Sequence, residues 1–295
     1  MAMKISHFID LNDYSVEWLT KVLKLGHHIF THPHRFAKAY EGKIMASAFF
    51  EPSTRTKLSF HSAMQRLGGS VLGFDNPNVS SIIKGESLKD TIKMLESYSD
   101  LIVLRHPIEG AAFEAAKHSN IPVINAGDGK NLHPTQTLTD LLTIREERGS
   151  LENMTIGVAG DLKFGRTTHS LVKALSKYQG NKFIFISDPE LTMPDDIKIM
   201  CDYKEVSQIK DAVSGLDILY MTRFQAERTD KEICLEVLDK AKLKNAKENL
   251  LILHPLPRVN EIAEEIDSDP RALYFKQAMY GVYIRMALII TLFEN

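Results

Sequence analysis

Short apolar runs alternate with amphipathic stretches along most of this chain. Ile44–Phe50, Val71–Phe74, Leu101–Leu104 and Val123–Ile124 punctuate the first half. After Asn153 the rhythm restarts with Thr155–Ala159, Phe183–Ile186, Ile218–Met221 and Leu250–Leu253. Short apolar strands separated by helices predict parallel sheets, here two of them. Trp18, Val22, Leu25 and Ile29 recur at helical spacing near the start. Leu138, Leu141, Leu142 and Arg145 do the same over 134–147, predicting a helix that connects the two halves. The expected class is α/β: two open parallel-sheet domains with helices on both faces.

Residues 49–69 carry the sharpest local signal. The first apolar run passes through Glu51-Pro52 into Ser53, a preferred helix N-cap residue. Phe60, Ala63, Met64 and Leu67 then share one helical face, and Gly68-Gly69 stops the helix. The hydroxyls of Ser53, Thr54 and Thr56 and the guanidinium of Arg55 crowd the first turn. Unsatisfied backbone N–H groups and the helix dipole favour an anion there. An ordinary capped helix accounts for the hydroxyls but not for the arginine, since the dipole disfavours a cation at this end. A bound phosphate removes the conflict.

The other conspicuous polar residues also follow apolar runs: Arg105-His106, Asn125 to His133, Arg166, Arg223, and His254 to Arg258. Ligands of open parallel sheets bind outside the carboxyl ends of the strands, so both halves are expected to face a shared anionic ligand or pair of ligands in a cleft. The turn Gly160-Asp-Leu-Lys-Phe-Gly-Arg166 lacks the glycine spacing of a dinucleotide site and the Gly-Lys-Ser/Thr of a P-loop. Arg166 suits a carboxylate, which guanidinium grips bidentately, and Arg223 with Gln225 reads the same way. A single surface arginine is usually only solvated; it is the company of the others that shifts the balance. His133 opens a helix, where the dipole helps keep its ring neutral and able to donate to a carbonyl oxygen. Lys84 lies among Ser80, Ser81, Gly85 and Ser87, and reads either as a phosphate contact or as a surface lysine. His27, His28, His32 and His34 are interrupted by Pro33 and lack a Glu-x-x-His pattern; a solvated helix end is preferred over a metal site.

A length of 295 residues suits two domains, and 44% apolar with 25% charged residues is ordinary globular composition. The net charge of -2 gives no general pull toward nucleic acid or acidic membranes, so any basic site is local. Cys201 and Cys234 are the only cysteines, which suits a reducing compartment and excludes a thiolate zinc cluster. Lys4, His7 and Asp10 interrupt any signal-peptide core, and Met286–Phe293 is too short to span a bilayer. A cytoplasmic location is expected.

The run Phe49-x-Glu51-x-Ser53-Thr-Arg-Thr56 resembles the carbamoyl-phosphate signature of the carbamoyltransferase family. The similarity extends along most of the chain: Lys84-Gly-Glu-Ser-Leu-Lys-Asp90, Arg105-His-Pro, Asn125-Ala-Gly-Asp-Gly, His133-Pro-Thr-Gln-Thr-Leu, Gly160 to Arg166, Tyr220-Met-Thr-Arg-Phe-Gln225 and His254-Pro-Leu-Pro-Arg258. Thr135 and Pro255 stand where the ornithine branch shows cysteine, and Arg166 and Arg223 suit a dicarboxylate, so the aspartate branch is the nearer. The resemblance implies carbamoyl transfer from carbamoyl phosphate to L-aspartate, an early step of pyrimidine synthesis. It assigns Ser53, Thr54, Arg55, Thr56 and Arg105 to the phosphate, and Arg55, Thr56, Arg105 and His133 to the carbamoyl oxygen. Gln136 and the backbone carbonyls of Leu256 and Pro257 would position amino groups. Arg166, Arg223 and Gln225 would hold the aspartate carboxylates. Ser80 and Lys84 would reach a neighbouring subunit's site, Lys84 contacting both substrates, which makes a homotrimer the minimal unit. Glu51 would latch to Arg166 and Arg228. The expected division is 1–133 with a C-terminal helix at about 280–295 for carbamoyl phosphate, and 134–279 for aspartate. No cofactor, metal, nucleic acid or membrane is implied, while separate regulatory subunits are left open.

Overall fold

The computed structural model describes residues 7–76, 84–129, 132–224 and 236–294. The chain folds as two compact units, Met1–Leu138 with Tyr280–Asn295, and Thr139–Met279.

In the first unit β1 (Ile44–Phe49), β2 (Ser70–Phe74), β3 (Leu101–His106) and β4 (Val123–Asp128) form a four-stranded parallel sheet in the order β2-β1-β3-β4. The central strands are buried on both faces, which is why they read as continuous apolar runs rather than alternating ones. Ala46 and Ala48 of β1 pack with Ile92 and Leu95 of α3 (Leu88–Tyr98) and with Ala112 and Ala115 of α4 (Ala111–His118). The small alanines let these helices approach the sheet closely. A further helix, α2 (Thr54–Arg66), packs on β1 and β2. It buries Phe60, Ala63 and Met64, with Leu67 at its C-cap, which is the face its spacing predicts. Each large side chain so buried contributes roughly 1.5–3 kcal/mol. At the start, α1 (Val16–Thr31) buries Leu19, Val22, Leu23, Gly26 and Ile29, so its inner face is turned slightly from the Trp18–Leu25 line. Beside β4, the Phe8 amide donates to the Val123 carbonyl and the Phe8 carbonyl accepts from Asn125, both at 2.8 Å.

The second unit holds β5 (Thr155–Ala159), β6 (Lys182–Ile186), β7 (Asp202–Val206), β8 (Ile218–Met221) and β9 (Leu251–Leu253), all parallel, in the order β7-β6-β5-β8-β9. The chain steps outward from β5 to β7 and then returns to lay β8 on the other side of β5. Strand order therefore reverses at β5/β8, the place where open α/β sheets bind ligands. The hydrophobic pattern does not predict β7. Its Asp-Tyr-Lys-Glu sequence is exposed because it forms an outer edge, paired among the described residues only with β6. Instead of a long helix, 3-10 turns at Ile209–Asp211 and Val213–Gly215 join β7 to β8. The chain crosses between the units inside α5 (Pro134–Arg148) and α8 (Tyr274–Phe293). Among the described residues no helix is long and apolar enough to cross a membrane, and no group of three or more His, Cys, Asp or Glu is placed to hold a metal ion.

Candidate active site

In the first unit three strand ends supply the polar groups. Ser53, Thr54, Arg55 and Thr56 follow β1 and form the N-cap and first turn of α2. Ser53 occupies the N-cap, yet its hydroxyl makes no capping hydrogen bond, and Thr56 is buried. Both fit a first turn whose donors and hydroxyls are reserved for something other than the helix. Arg55 makes no hydrogen bond or ion pair among the described residues. Partial desolvation, and then the charge of Arg105, lower its pKa from the ordinary arginine value. Two guanidinium groups that repel one another this way are settled by an anion.

Arg105, the penultimate residue of β3, is held firmly. Its Nη2 pairs with Glu51 Oε1 at 2.6 Å, and its Nη1 donates to the Ala126 carbonyl at 3.1 Å. Burial lowers its pKa while Glu51 opposes the shift. The same Nη1 lies 3.4 Å from His133 Nε2. Arginine can only donate, so in this contact Nε2 accepts and the ring proton sits on Nδ1. His133 is buried and directly precedes α5, and Gln136 lies half-buried in its first turn.

The second half of β4 builds the floor on which Arg105 rests. Asn125 Nδ2 donates to the Ile9 carbonyl and to Asp128 Oδ1, each at 3.1 Å, while Asn125 Oδ1 accepts from the Gly127 amide at 2.8 Å. Asp128 Oδ2 in turn accepts from the Gly110 amide at 3.0 Å. Gly127 has φ +123°, and a Cβ there would sit 2.8 Å from Arg105 Nη1. Only glycine allows both the backbone conformation and the close approach of the guanidinium. Nothing in the sequence analysis gave Asn125, Gly127 and Asp128 this supporting role; the glycine-containing polar run after a strand was the available signal.

In the second unit Arg166 is the first residue of α6 (Arg166–Leu175), and Arg223 follows β8 by two positions; both are half-buried. Gly160, with φ +118°, brings the turn after β5 against the end of β8, since a Cβ on it would meet the Thr222 carbonyl at 2.3 Å. The turn leading to Arg166 and the segment carrying Arg223 are thus packed together. A cavity of about 320 Å³ opens beside them, lined by Gly160, Ser187, Asp188, Ser207, Met221 and Glu236 among others, with no cation in its wall among the described residues.

The loop after β9 is organised differently. Arg258 donates to both Asp267 carboxylate oxygens and lies over the rings of Tyr274 and Phe275 at 5.3 and 5.8 Å. The Asp267 hydrogen bonds raise its pKa. Its charge is spent inside the fold, so Arg258 does not join the arginines offered to an anion. Leu256 has φ +52°, rare for a branched residue, and His254 Nδ1 accepts its amide at 2.8 Å. Lys84 is exposed. Ser80, Ser81, Gln225 and Arg228 lie outside the described residues.

Two family profiles match the chain. That of the aspartate/ornithine carbamoyltransferase carbamoyl-P binding domain covers residues 6–146, and that of the Asp/Orn binding domain covers 152–292. Among similar proteins, the aspartate carbamoyltransferase catalytic subunit of Clostridium perfringens strain SM101 is 55% identical over 98% of this chain and 98% of its own. That of Clostridium novyi strain NT is 57% identical over 96% of each. Of solved structures, the catalytic subunit of M. jannaschii aspartate transcarbamoylase aligns with TM-score 0.92 at 43% identity, covering 98% of both chains. Aspartate transcarbamoylase from Trypanosoma cruzi, in complex with N-(phosphonacetyl)-L-aspartic acid, aligns with TM-score 0.91 at 37% identity over 98% of this chain and 96% of that one. The chain belongs to the aspartate/ornithine carbamoyltransferase family.

Proposed function

We propose that this chain transfers the carbamoyl group of carbamoyl phosphate to the amino group of L-aspartate, giving N-carbamoyl-L-aspartate and phosphate in pyrimidine biosynthesis. The observation that carries the reading is the pair formed by Arg55 in the first turn of α2 and Arg105 at the end of β3, the second guanidinium anchored and the first without a partner among the described residues. In this reading Ser53, Thr54, Arg55, Thr56 and Arg105 hold the phosphate. Arg55, Thr56, Arg105 and His133 surround the carbamoyl oxygen, and Gln136 with the carbonyls of Leu256 and Pro257 accept from its amino group. Arg166, Arg223 and Gln225 take the two aspartate carboxylates.

The chemistry follows from charge. The aspartate amine attacks the carbonyl carbon, a C–N bond forms, and the bond from carbon to the phosphate oxygen breaks. Negative charge grows on the carbonyl oxygen and on the leaving phosphate. Donors fixed in advance at those positions do most of the work, each worth about 10²–10³-fold in rate. The departing phosphate accepts the amine proton, so no further base is needed. Glu51 competes with the ligand for Arg105, and a latch role for Glu51 in closing on aspartate belongs to the same reading. Ser80 and Lys84 serve the site of a neighbouring copy, making the working unit a homotrimer.

Assaying the purified chain with carbamoyl phosphate and either L-aspartate or L-ornithine tests this reading. Carbamoylation of aspartate in large excess over ornithine is expected. The opposite preference assigns the chain to the ornithine branch, and activity with neither acceptor removes the proposal.

A further inference from the structure

The loop after β9 is closed by two buried side chains that make no use of solvent. His254 is 1% exposed and Glu261 2%. His254 Nδ1 accepts the Leu256 amide at 2.8 Å, so the ring proton lies on Nε2 and is donated to Glu261 Oε1 at 2.7 Å. Glu261 Oε2 accepts the amides of Val259 at 3.0 Å and Asn260 at 3.1 Å. Burial alone would raise the Glu261 pKa, but its hydrogen bonds from His254 and the Val259 amide outweigh that and leave it lowered. Glu261 therefore serves as a fixed carboxylate acceptor. The backbone of His254 is tied in turn: its amide donates to Gln277 Oε1 at 3.0 Å, and Gln277 Nε2 donates to Asp140 Oδ1 at 2.6 Å. Asp140 Oδ2 accepts from the hydroxyl of Tyr220, a β8 residue, at 3.0 Å.

These contacts converge on one backbone segment. Leu256 sits in the left-handed region, which a non-glycine residue holds only where its surroundings enforce it. The histidine nitrogen that captures the Leu256 amide from two residues back enforces it, much as an asparagine or aspartate does in a tight turn. Amides at 256, 259 and 260 are all turned inward to side chains of the loop. A β-branched or neutral apolar residue at 254 or 261 would leave those amides buried and unmatched.

We infer that Glu261, acting through His254, is a positioning residue that aims the Leu256 and Pro257 carbonyls and thereby selects an amino-bearing carbamoyl group over an acyl group of the same shape. The inference rests on the proposed role of those carbonyls as acceptors. A carbonyl oxygen in the right place accepts an N–H, whereas a methyl group there leaves it unmatched and gains nothing. Sites built to hydrogen-bond a substrate N–H reject the analogue lacking it far more strongly than apolar pockets reject a shape change.

The test uses the full chain, with acetyl phosphate as the probe because a methyl group replaces the amino group of carbamoyl phosphate. Its inhibition constant against carbamoyl phosphate is measured in the parent protein and in Glu261→Ala and Glu261→Gln. In Glu261→Ala the carbamoyl phosphate KM should rise about tenfold or more, while the acetyl phosphate constant changes less than about twofold. Glu261→Gln keeps the size and one acceptor oxygen but puts an NH2 donor in place of the other, and should fall between; it also carries the test if the alanine variant fails to fold. His254→Asn, which retains an acceptor for the Leu256 amide, should preserve more of the preference than His254→Ala. An unchanged ratio of the two constants in active variants overturns the inference, and so does an equal rise in both. A parent protein inactive toward aspartate sinks the underlying functional reading instead, so the two failures are distinguishable.

Discussion

Arg55 and Arg258 both follow a parallel strand, one after β1 and one after β9, and their fates are opposite. Arg258 is gripped by Asp267 and stacked over Tyr274 and Phe275, and its pKa is raised. Arg55 has no acid partner among the described residues, stands beside the buried Arg105, and has its pKa lowered. The first arginine completes a fold; the second leaves a charge for something else to satisfy. A guanidinium placed after a strand is thus informative only together with the carboxylates within its reach.

The largest effect that sharpens the contrast is on turnover. Arg55→Ala should lower kcat about 10²–10³-fold while stability shifts by about 0.5 kcal/mol or less, because the side chain is exposed. Arg258→Ala should do the reverse, removing about 1 kcal/mol of stability at a half-exposed ion pair and disturbing turnover far less. Steady-state kinetics and thermal unfolding of the two variants read both quantities. A large kinetic loss for Arg258→Ala with a silent Arg55→Ala would undo the distinction.

A smaller effect concerns pH. His7, His61 and His106 in the first unit, and His169 in the second, all have pKa values lowered from 6.5, in each case chiefly by burial. His7 and His106 also accept backbone amides, from Val123 and Ile108, through Nδ1. The folded state then binds fewer protons than the unfolded state near 6.5, so stability is full above that pH and is lost as pH falls through it. Lowering pH from about 7.5 to about 5.5 should reduce hydrogen-exchange protection more in the first unit than in the second, after correction for intrinsic rates. Equal losses in the two units would contradict the placement of these buried and part-buried histidines.

Much of the fold was legible because, of the nine strands among the described residues, eight carry short apolar runs that announce themselves, although β2 is only partly buried. The ninth, β7, was not: an edge strand with one exposed side needs no apolar sequence, and Asp202, Lys204 and Glu205 hide it. In the site, the α2 face and the crowding at Ser53–Thr56 were visible from spacing. The uncommitted Ser53 hydroxyl was not, since serine at a helix start ordinarily signals a cap. The supports of Arg105 escaped for another reason. Asn125 and Asp128 act through hydrogen bonds to Ile9 and Gly110, partners remote in sequence, which no local pattern encodes. Glu261 is hidden likewise, since a carboxylate in a polar loop looks solvated until its burial is known.

The central claim is that the unspent charge at the head of α2 awaits a phosphate-like dianion. Calorimetric titration of the folded protein with N-(phosphonacetyl)-L-aspartic acid tests it most directly. Binding at least about 100-fold tighter than either substrate is predicted for the parent protein, with most of that affinity gone in Arg55→Ala. No measurable binding, or equal binding by both proteins, would contradict it.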